Sequence, residues 1–256
     1  MTNLTEHTRK YWKYEYDVSA RFMVPLLRTW GVPLDGARVL DIGCAEGGGV
    51  CALYDQGGTC LGFDIDVQRI RAAAELAGER TIEFGTGNLY LDPVPYASRQ
   101  FDLVVLHDVF EHLDRKEEML EKLRRYLSPR GRLLITFPPY FSAYGAHQQL
   151  LLTPYARAPF IHLLPRFRTA ILSRLKNENP DFVEEVRKLT RLKMGMTSFE
   201  KLVATGSLRI ERKKAYLIGP NHIRFGLRPV PAGPFSKIPL AKEFLCSGVV
   251  YLLAPK

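Results

Sequence analysis

The sequence predicts a doubly wound α/β domain on a seven-stranded, mostly parallel sheet, and three observations lead there. From Arg38 to Phe137 short apolar runs alternate with helical patterns, the signature of βαβ units. The first of these runs, VLDIG, breaks into a glycine-rich turn, as strands do where the backbone approaches a ligand. Late in the chain Leu208–Ile218 and Glu243–Leu253 form two β-rich runs joined by a long Pro/Gly loop, which closes the sheet with an antiparallel pair.

Taken in order, residues 1–33 form an N-terminal helical cap. Thr8 to Trp30 reads as one or two helices, aromatic at the start and closed by Gly31 and Pro33. Residues 34–139 form the ligand-binding core, with strands at Arg38–Ile42, Thr59–Asp64, Ile82–Gly85, Phe101–Leu106 and Arg132–Phe137. Its best-defined helices are Val67–Leu76 and Arg115–Leu127, the second ending at a Ser128-Pro129-Arg130-Gly131 turn. Residues 140–196 break the alternation and read as a helical lid insertion, interrupted at Pro154, Pro159, Pro165 and Pro180. In 197–256, Thr197-Ser-Phe-Glu200 is a capping box for a last helix before the strand pair. The whole is one domain of 256 residues.

Composition narrows the class. Hydrophobic residues make up 46% and charged ones 25%, as in a globular enzyme. No apolar run is long enough to span a bilayer, and the polar, aromatic N-terminus is no secretory signal, so a cytoplasmic location is expected. Cys44, Cys51, Cys60 and Cys246 have no C-x-x-C or metal-ligand spacing and read as reduced thiols. The net charge of +9 is concentrated late. From Arg157 to Lys214 there are 14 basic and 6 acidic residues, which suits an anionic partner or a solvated basic face.

The chemistry is carried by strand ends. In VLDIGCAEGGG, Asp41 stands two places before Gly43, and an acid there suits a positively charged ligand. The same stretch fits the dinucleotide fingerprint as Gly43-x-Ala45-x-x-Gly48, with Asp64 at 21 residues on. A pyrophosphate prefers a helix N-terminus without a nearby carboxylate, and Asp41 would repel it. In LGFDID, Asp64 is placed to accept both hydroxyls of a ribose; in FGTGNLYL, Asn88 can bond an adenine edge. FDLVVLHDVFEHL runs a fourth strand into a His/Asp/Glu/His loop.

In this order the segments resemble the class I S-adenosylmethionine-dependent methyltransferases, the broad small-molecule group, over roughly Arg38 to Pro139. The resemblance implies a Rossmann-like fold, S-adenosylmethionine as cofactor and methyl transfer as activity. By it Asp41, Gly43, Cys44, Ala45 and Gly47 would surround the methionine part of the cofactor. Asp64 and Ile65 would hold the ribose side, Asn88 and Leu89 would border the adenine, and His107 would lie beside the sulfonium. Two departures stand out: Ala45 replaces the family's middle glycine, and Asn88 the acid often found near the adenine, still able to accept a bond through its side-chain oxygen. One of Tyr11, Trp12, Tyr14 and Tyr16 could cover the cofactor, although helix packing explains them as well. Glu111 and His112 pack and orient the loop in such enzymes. No ligands are spaced along the chain to make His112 a zinc site, so no metal is expected.

FPPY, residues 137 to 140, shares letters with the Pro-Pro-Tyr signature of amide and adenine methyltransferases. That signature follows the fourth strand, whereas Pro138-Pro139-Tyr140 follows the fifth, so position excludes it. The acceptor is expected to be small or linked to a lipid or nucleotide, and anionic, with a glycan intermediate as one such acceptor. His107, His112, His147 and Tyr144 are the candidate catalytic groups, with Tyr140 nearby and Gly145 allowing a sharp turn. Apolar Phe160, Ile161, Leu163, Leu164, Phe167, Ile171 and Leu172 alternate with Arg157, Arg166, Arg168 and Arg174. That mixture suits a lid over an anionic acceptor, with peripheral membrane contact through 155–176, or a subdomain with its own small core. The alternatives are a cofactor-binding protein without catalysis and an RNA methyltransferase. Nucleic acid is disfavoured as a partner because the basic segment is interleaved with aliphatic rather than stacking residues. Oligomeric state has no signal in the sequence.

Overall fold

The computed structural model describes residues 4–91, 96, 98–165 and 178–256. Its sheet contains β1 (Arg38–Ile42), β2 (Thr59–Asp64), β3 (Glu83–Thr86), β4 (Phe101–His107), β5 (Leu127–Phe137), β6 (Leu208–Ile218), β7 (Val230–Pro231) and β8 (Gly248–Pro255). The order is β3-β2-β1-β4-β5-β8-β6-β7. The first five strands pair in parallel, and β8 runs antiparallel between β5 and β6. The strand beyond the seven expected is β7, a two-residue edge piece on β6.

Successive side chains point to opposite faces of the sheet, as the pleat requires. Leu40, Ile42, Val104, Leu106, Leu133 and Ile135 face one core, which is closed by Leu120, Phe199 and Tyr251. Val39, Leu103, Val105 and Leu134 face the other, against Leu27, Val50 and Ile70. Both faces of the parallel strands are therefore covered, and their sequences run apolar throughout. The chain order reverses between β1 and β4, which opens a crevice at their carboxyl ends.

The N-terminal cap is a helix in three parts. α1 (Glu6–Val18) is capped by Thr5, whose hydroxyl accepts from the Thr8 amide at 3.1 Å. A π turn follows at Ser19–Met23, where the Val24 amide donates to the Ser19 carbonyl five residues back. α2 (Val24–Thr29) then leads to Gly31. Around the core lie α3 (Gly48–Tyr54), α4 (Val67–Leu76) and α5 (Lys116–Arg125). Asp66 caps α4 by accepting from the Gln68 and Arg69 amides.

Four expectations need correction. Ser128–Gly131 is not a turn between helix and strand but part of β5. Phe101 pairs with Leu127 and Leu103 with Arg132, so the extra residues bulge out without leaving the ladder. The helical insertion is only partly helical. Proline breaks its first half into 3₁₀ turns at Gln148–Leu150, Pro154–Arg157 and Ile161–Leu163, and only α6 (Pro180–Leu192) is a full helix. Arg166, Phe167, Arg168, Ile171, Leu172 and Arg174 lie outside the described residues. Within the rest, Leu151, Ala156, Ile161, Val183 and Val186 pack a small core of their own.

The third correction is the capping box. α7 (Met196–Thr205) starts one residue before Thr197, and Gly195 donates its amide to Ser198 Oγ at 3.0 Å. The Glu243 carboxylate takes the Met196 and Thr197 amides, at 3.0 and 2.6 Å. Glu200 instead binds Lys213, Lys242 and Tyr251. Finally, Glu243 is helical, in α8 (Pro239–Leu245), because Pro239 is set for a first helical position; the last strand begins only at Gly248.

Candidate functional site

The turn after β1 is built by alternating left-handed residues. Gly43, Ala45 and Gly47 have φ of 72°, 49° and 80°. Ala45 holds this conformation against a Cβ clash that glycine would not have. The Gly43 and Cys44 amides donate to the Phe63 carbonyl at 2.8 and 3.2 Å, and the Gly47 amide donates to the Cys44 carbonyl at 2.8 Å. Cys44 therefore frames the turn, with its thiol buried and pushed well above its ordinary range. Gly48 serves a different contact. A Cβ there would run into the Trp12 carbonyl, so its absence lets α1 lie directly on α3.

Four carboxylates surround this turn. Asp41, near the end of β1, is 5% exposed. Burial, and then the neighbouring Asp64 charge, push it up to about 8. Glu15 reaches in from α1. Burial first, then Glu46 and Asp41, hold it well above the carboxylate range, although Gly48 supplies an amide bond. One oxygen of Glu15 and one of Glu46 are buried with no hydrogen-bond partner. Arg69 stands 3.6 Å from the other Glu46 oxygen and lies over the Tyr11 ring. Buried carboxylates lacking partners are costly unless a cation completes them. S-adenosylmethionine, with its ammonium and sulfonium, fits such a site; a pyrophosphate does not.

The ribose and adenine side follows β2 and β3. Asp64 accepts from the Ala45 amide at 3.0 Å through one oxygen and from the Asp66 amide at 2.9 Å through the other. Each oxygen retains a further lone pair, directed by bonds already made. Ile65, next to it, is 66% exposed, an apolar side chain left open at a strand end. The Asn88 side-chain oxygen accepts from the Tyr90 amide at 2.9 Å, which fixes the side chain and leaves a second lone pair and the amide nitrogen to offer a ligand. Leu89 is buried, and its carbonyl receives Lys122 at 3.2 Å.

At the end of β4 a polar network appears that the sequence did not announce. His107 Nε2 lies 3.3 Å from Asn221 Oδ1, and the Asn221 amide donates to Asp108. Thr136, from β5, donates its hydroxyl to Asp108 at 2.8 Å. Asp108 has φ 55°, a left-handed backbone that turns its carboxylate back over the strand ends. Tyr14 closes the roof by donating to the Asn221 carbonyl at 3.3 Å. A cavity of about 30 Å³, lined by His107, Asp108, Thr136, Asn221 and Val18 among others, lies beneath. The only linear signal for this network is the acidic residue directly after His107.

The insertion brings a second group of side chains to the β4 loop. The loop's 3₁₀ turn, Phe110–His112, packs against α6. His112 and His147 lie with ring centroids 5.5 Å apart, and His147 Nδ1 stands 2.6 Å from Glu185 Oε1 on α6. Burial, and then His147, lower His112 to about 4. Glu111 is 2% exposed and held far above the carboxylate range by burial, with Asp108 next. The Tyr144 hydroxyl donates to the Arg157 carbonyl at 3.1 Å. Tyr140, expected at the pocket, is instead buried, edge-on to Phe141 and His162. Gly145 is a point of close backbone approach, where a Cβ would run into the Pro139 and Tyr140 carbonyls.

A larger hollow, about 440 Å³, is lined by Arg38, Thr59, Glu83, Arg99 and Phe101. These mark the amino ends of the strands. Ligands of open α/β sheets bind at the opposite ends, so the chemistry belongs to the crevice above.

Residues 40–135 match the family described as "Methyltransferase domain". The chain is 33% identical over 106 residues to a glycine/sarcosine/dimethylglycine N-methyltransferase of Actinopolyspora halophila, covering 40% of this chain and 18% of that one. It thus spans only about a fifth of the length of such N-methyltransferase relatives. An uncharacterized methyltransferase of Mycolicibacterium paratuberculosis is 24% identical over 222 residues, covering 86% of this chain and 77% of its own. The fold is similar to that of magnesium protoporphyrin IX methyltransferase from Synechocystis, crystallised with S-adenosylhomocysteine. The TM-score is 0.56 at 15% identity, over 98% of this chain and 89% of that one.

Proposed function

We propose that the chain, whose residues 40–135 match a methyltransferase-domain family, is a class I S-adenosylmethionine-dependent methyltransferase that transfers a methyl group to a small-molecule acceptor. The observation that carries the reading is the set of buried carboxylates round the Gly43–Gly47 turn, two of them with an oxygen lacking any partner. Bound S-adenosylmethionine supplies an electrophilic methyl group. Asp41, with Glu15 and Glu46 close by, balances its ammonium. Asp64 accepts the ribose hydroxyls through lone pairs left free by its backbone bonds, and Ile65 offers an apolar face to the adenine beside Asn88 and Leu89.

Displacement at a methyl carbon needs alignment and exclusion of water more than acid–base chemistry. Where the acceptor is a hydroxyl or an ammonium, one proton must leave, and His107 is the proposed base. Asn221 accepts from His107 Nε2–H, because its own amide is turned toward Asp108, and this leaves Nδ1 with the free lone pair. The acceptor is proposed to enter between the β4 loop and the segment after β5, where His112, Tyr144 and His147 gather.

The acceptor we propose carries a phosphate or carboxylate, and a glycan intermediate linked to a lipid or nucleotide meets the description. The basic excess from Arg157 to Lys214 supports this, as do Tyr155, Phe160 and Leu164, exposed beside Arg157 on the insertion. The same stretch is the proposed membrane-surface contact. Among the described residues no helix is long and apolar enough to cross a membrane.

Calorimetry with S-adenosylhomocysteine and with NAD tests the cofactor. Binding of the first and not the second is expected; tight NAD binding without it refutes the reading. Incubation of labelled S-adenosylmethionine with cell extract then separates an enzyme from a non-catalytic binder, since only an enzyme transfers label.

A further inference from the structure

We propose that His112, His147 and Glu185, backed by Glu111, form a binding site for one divalent transition-metal ion, which ties the insertion to the β4 loop. The ligand atoms of the first three lie within 4.8 Å of one another, the one such group among the described residues. They come from three separate segments: the 3₁₀ turn after β4, the bend after β5 and α6. Two imidazoles and a carboxylate are the donor set of many open first-row metal sites, with positions left for water or a substrate oxygen. Ligand atoms round a tetrahedral ion with bonds near 2.1 Å stand roughly 3.4 Å apart. Modest side-chain rotation therefore closes the trio.

Glu111 is the independent observation. Both of its carboxylate oxygens are buried without any hydrogen-bond partner, and one lies 3.7 Å from His112 Nε2. Such a group is costly in a protein interior unless something charged completes it. Lys116, the nearest lysine on the same loop, spends its ammonium on the Phe110, Glu111 and Leu113 carbonyls rather than on this carboxylate. With an ion present, Glu111 becomes the outer carboxylate that orients His112, the usual partner of a metal-bound histidine. Without an ion, His147 and Glu185 form an ion pair and the Glu111 oxygens stay unsatisfied.

The test uses the full chain, stripped with a chelator and titrated with Zn²⁺ and, separately, Co²⁺. One ion should bind with an affinity on the order of micromolar or tighter. The Co²⁺ complex should show visible bands of nitrogen and oxygen ligation and no thiolate charge transfer. His147→Ala and Glu185→Gln should weaken Zn²⁺ by about 100-fold or more, and Glu111→Gln by roughly 10–100-fold. Thermal melts followed by circular dichroism on the same samples report that each variant is folded, independently of both metal and cofactor. A wild-type protein that binds neither ion, a thiolate spectrum, or folded variants that bind Zn²⁺ like the wild type would each overturn the site. Loss of cofactor binding by the wild type would overturn the proposed function and leave this inference standing.

Discussion

Replacing Asp41 by asparagine should strengthen the fold and weaken the cofactor complex at once. The carboxyl of Asp41 is pushed up to about 8, against an ordinary value of 3.8, first by burial and then by Asp64. The protein without cofactor must therefore take up a proton at Asp41 when it folds near neutral pH. Because the folded value is the higher, the stability Asp41 allows is complete below about pH 4 and is lost as pH rises toward 8. Each unit of that interval is worth about 1.4 kcal/mol. At pH 7 the loss reaches at most about 4 kcal/mol, and relaxation of the site reduces it to about half. Asparagine has the same shape and no proton to take up. Asp41→Asn should thus melt like the wild type at pH 4 and above it at pH 7, by the equivalent of ~1–3 kcal/mol. Binding should change in the opposite sense. A charge-assisted bond to the ammonium contributes about 1.5–3 kcal/mol, so S-adenosylhomocysteine should bind roughly 10- to 100-fold more weakly. Wild-type affinity should also rise between about pH 6 and 8 as binding expels the Asp41 proton, while the variant shows less slope. Thermal melts across pH and calorimetry supply both numbers. A variant that melts below the wild type at pH 7, or binds the cofactor product equally well, would refute the reasoning.

Other perturbations have equally definite outcomes. Asp64→Ala should cost roughly 1.5–3 kcal/mol of S-adenosylhomocysteine binding by calorimetry, and its melt should fall as well, because the Ala45 and Asp66 amides lose their acceptor. Ala45→Gly relieves a left-handed alanine and should raise stability by about 1 kcal/mol in denaturant melts, with cofactor affinity unchanged or better. Gly48→Ala drives a methyl group into the Trp12 carbonyl and should destabilise by ~2 kcal/mol or more, with altered tryptophan fluorescence as α1 lifts.

What could be read from the sequence divides along a physical line. β1 and β2 fall on the residues expected, because each is a buried run with a sharp change of character at its ends, and β6 does so although its middle, Arg209–Lys213, faces outward. Asp41 and Asp64 were legible for a related reason: the parallel topology puts strand ends together, so an acid at each is placed by the fold alone. Glu15, Asn221 and Glu185 were not, because each belongs to a peripheral segment and reaches the site only through packing that no local pattern encodes. His112 was set aside as a metal ligand for want of spaced partners, yet the fold sets His147 and Glu185 beside it from 35 and 73 residues away. Ser128–Gly131 misled in the other direction, since a bulge and a turn use the same residues and only pairing with Phe101 tells them apart. Gly48, read only as the third position of a dinucleotide fingerprint, is where α1 comes down on α3.

The π turn at Ser19–Met23 sets the angular phase of everything before it. An α-helix advances about 100° per residue, so deleting one residue there and restoring α geometry would rotate α1 by about that angle. Trp12 would leave Gly48, Glu15 the acidic turn and Tyr14 the Asn221 carbonyl, with no change in any of their side chains. The roof of the crevice is in this sense geared by chain length. Insertions and deletions in five residues outside the family core, rather than substitutions within it, are the shortest route by which a chain of this design would exchange one covering for another.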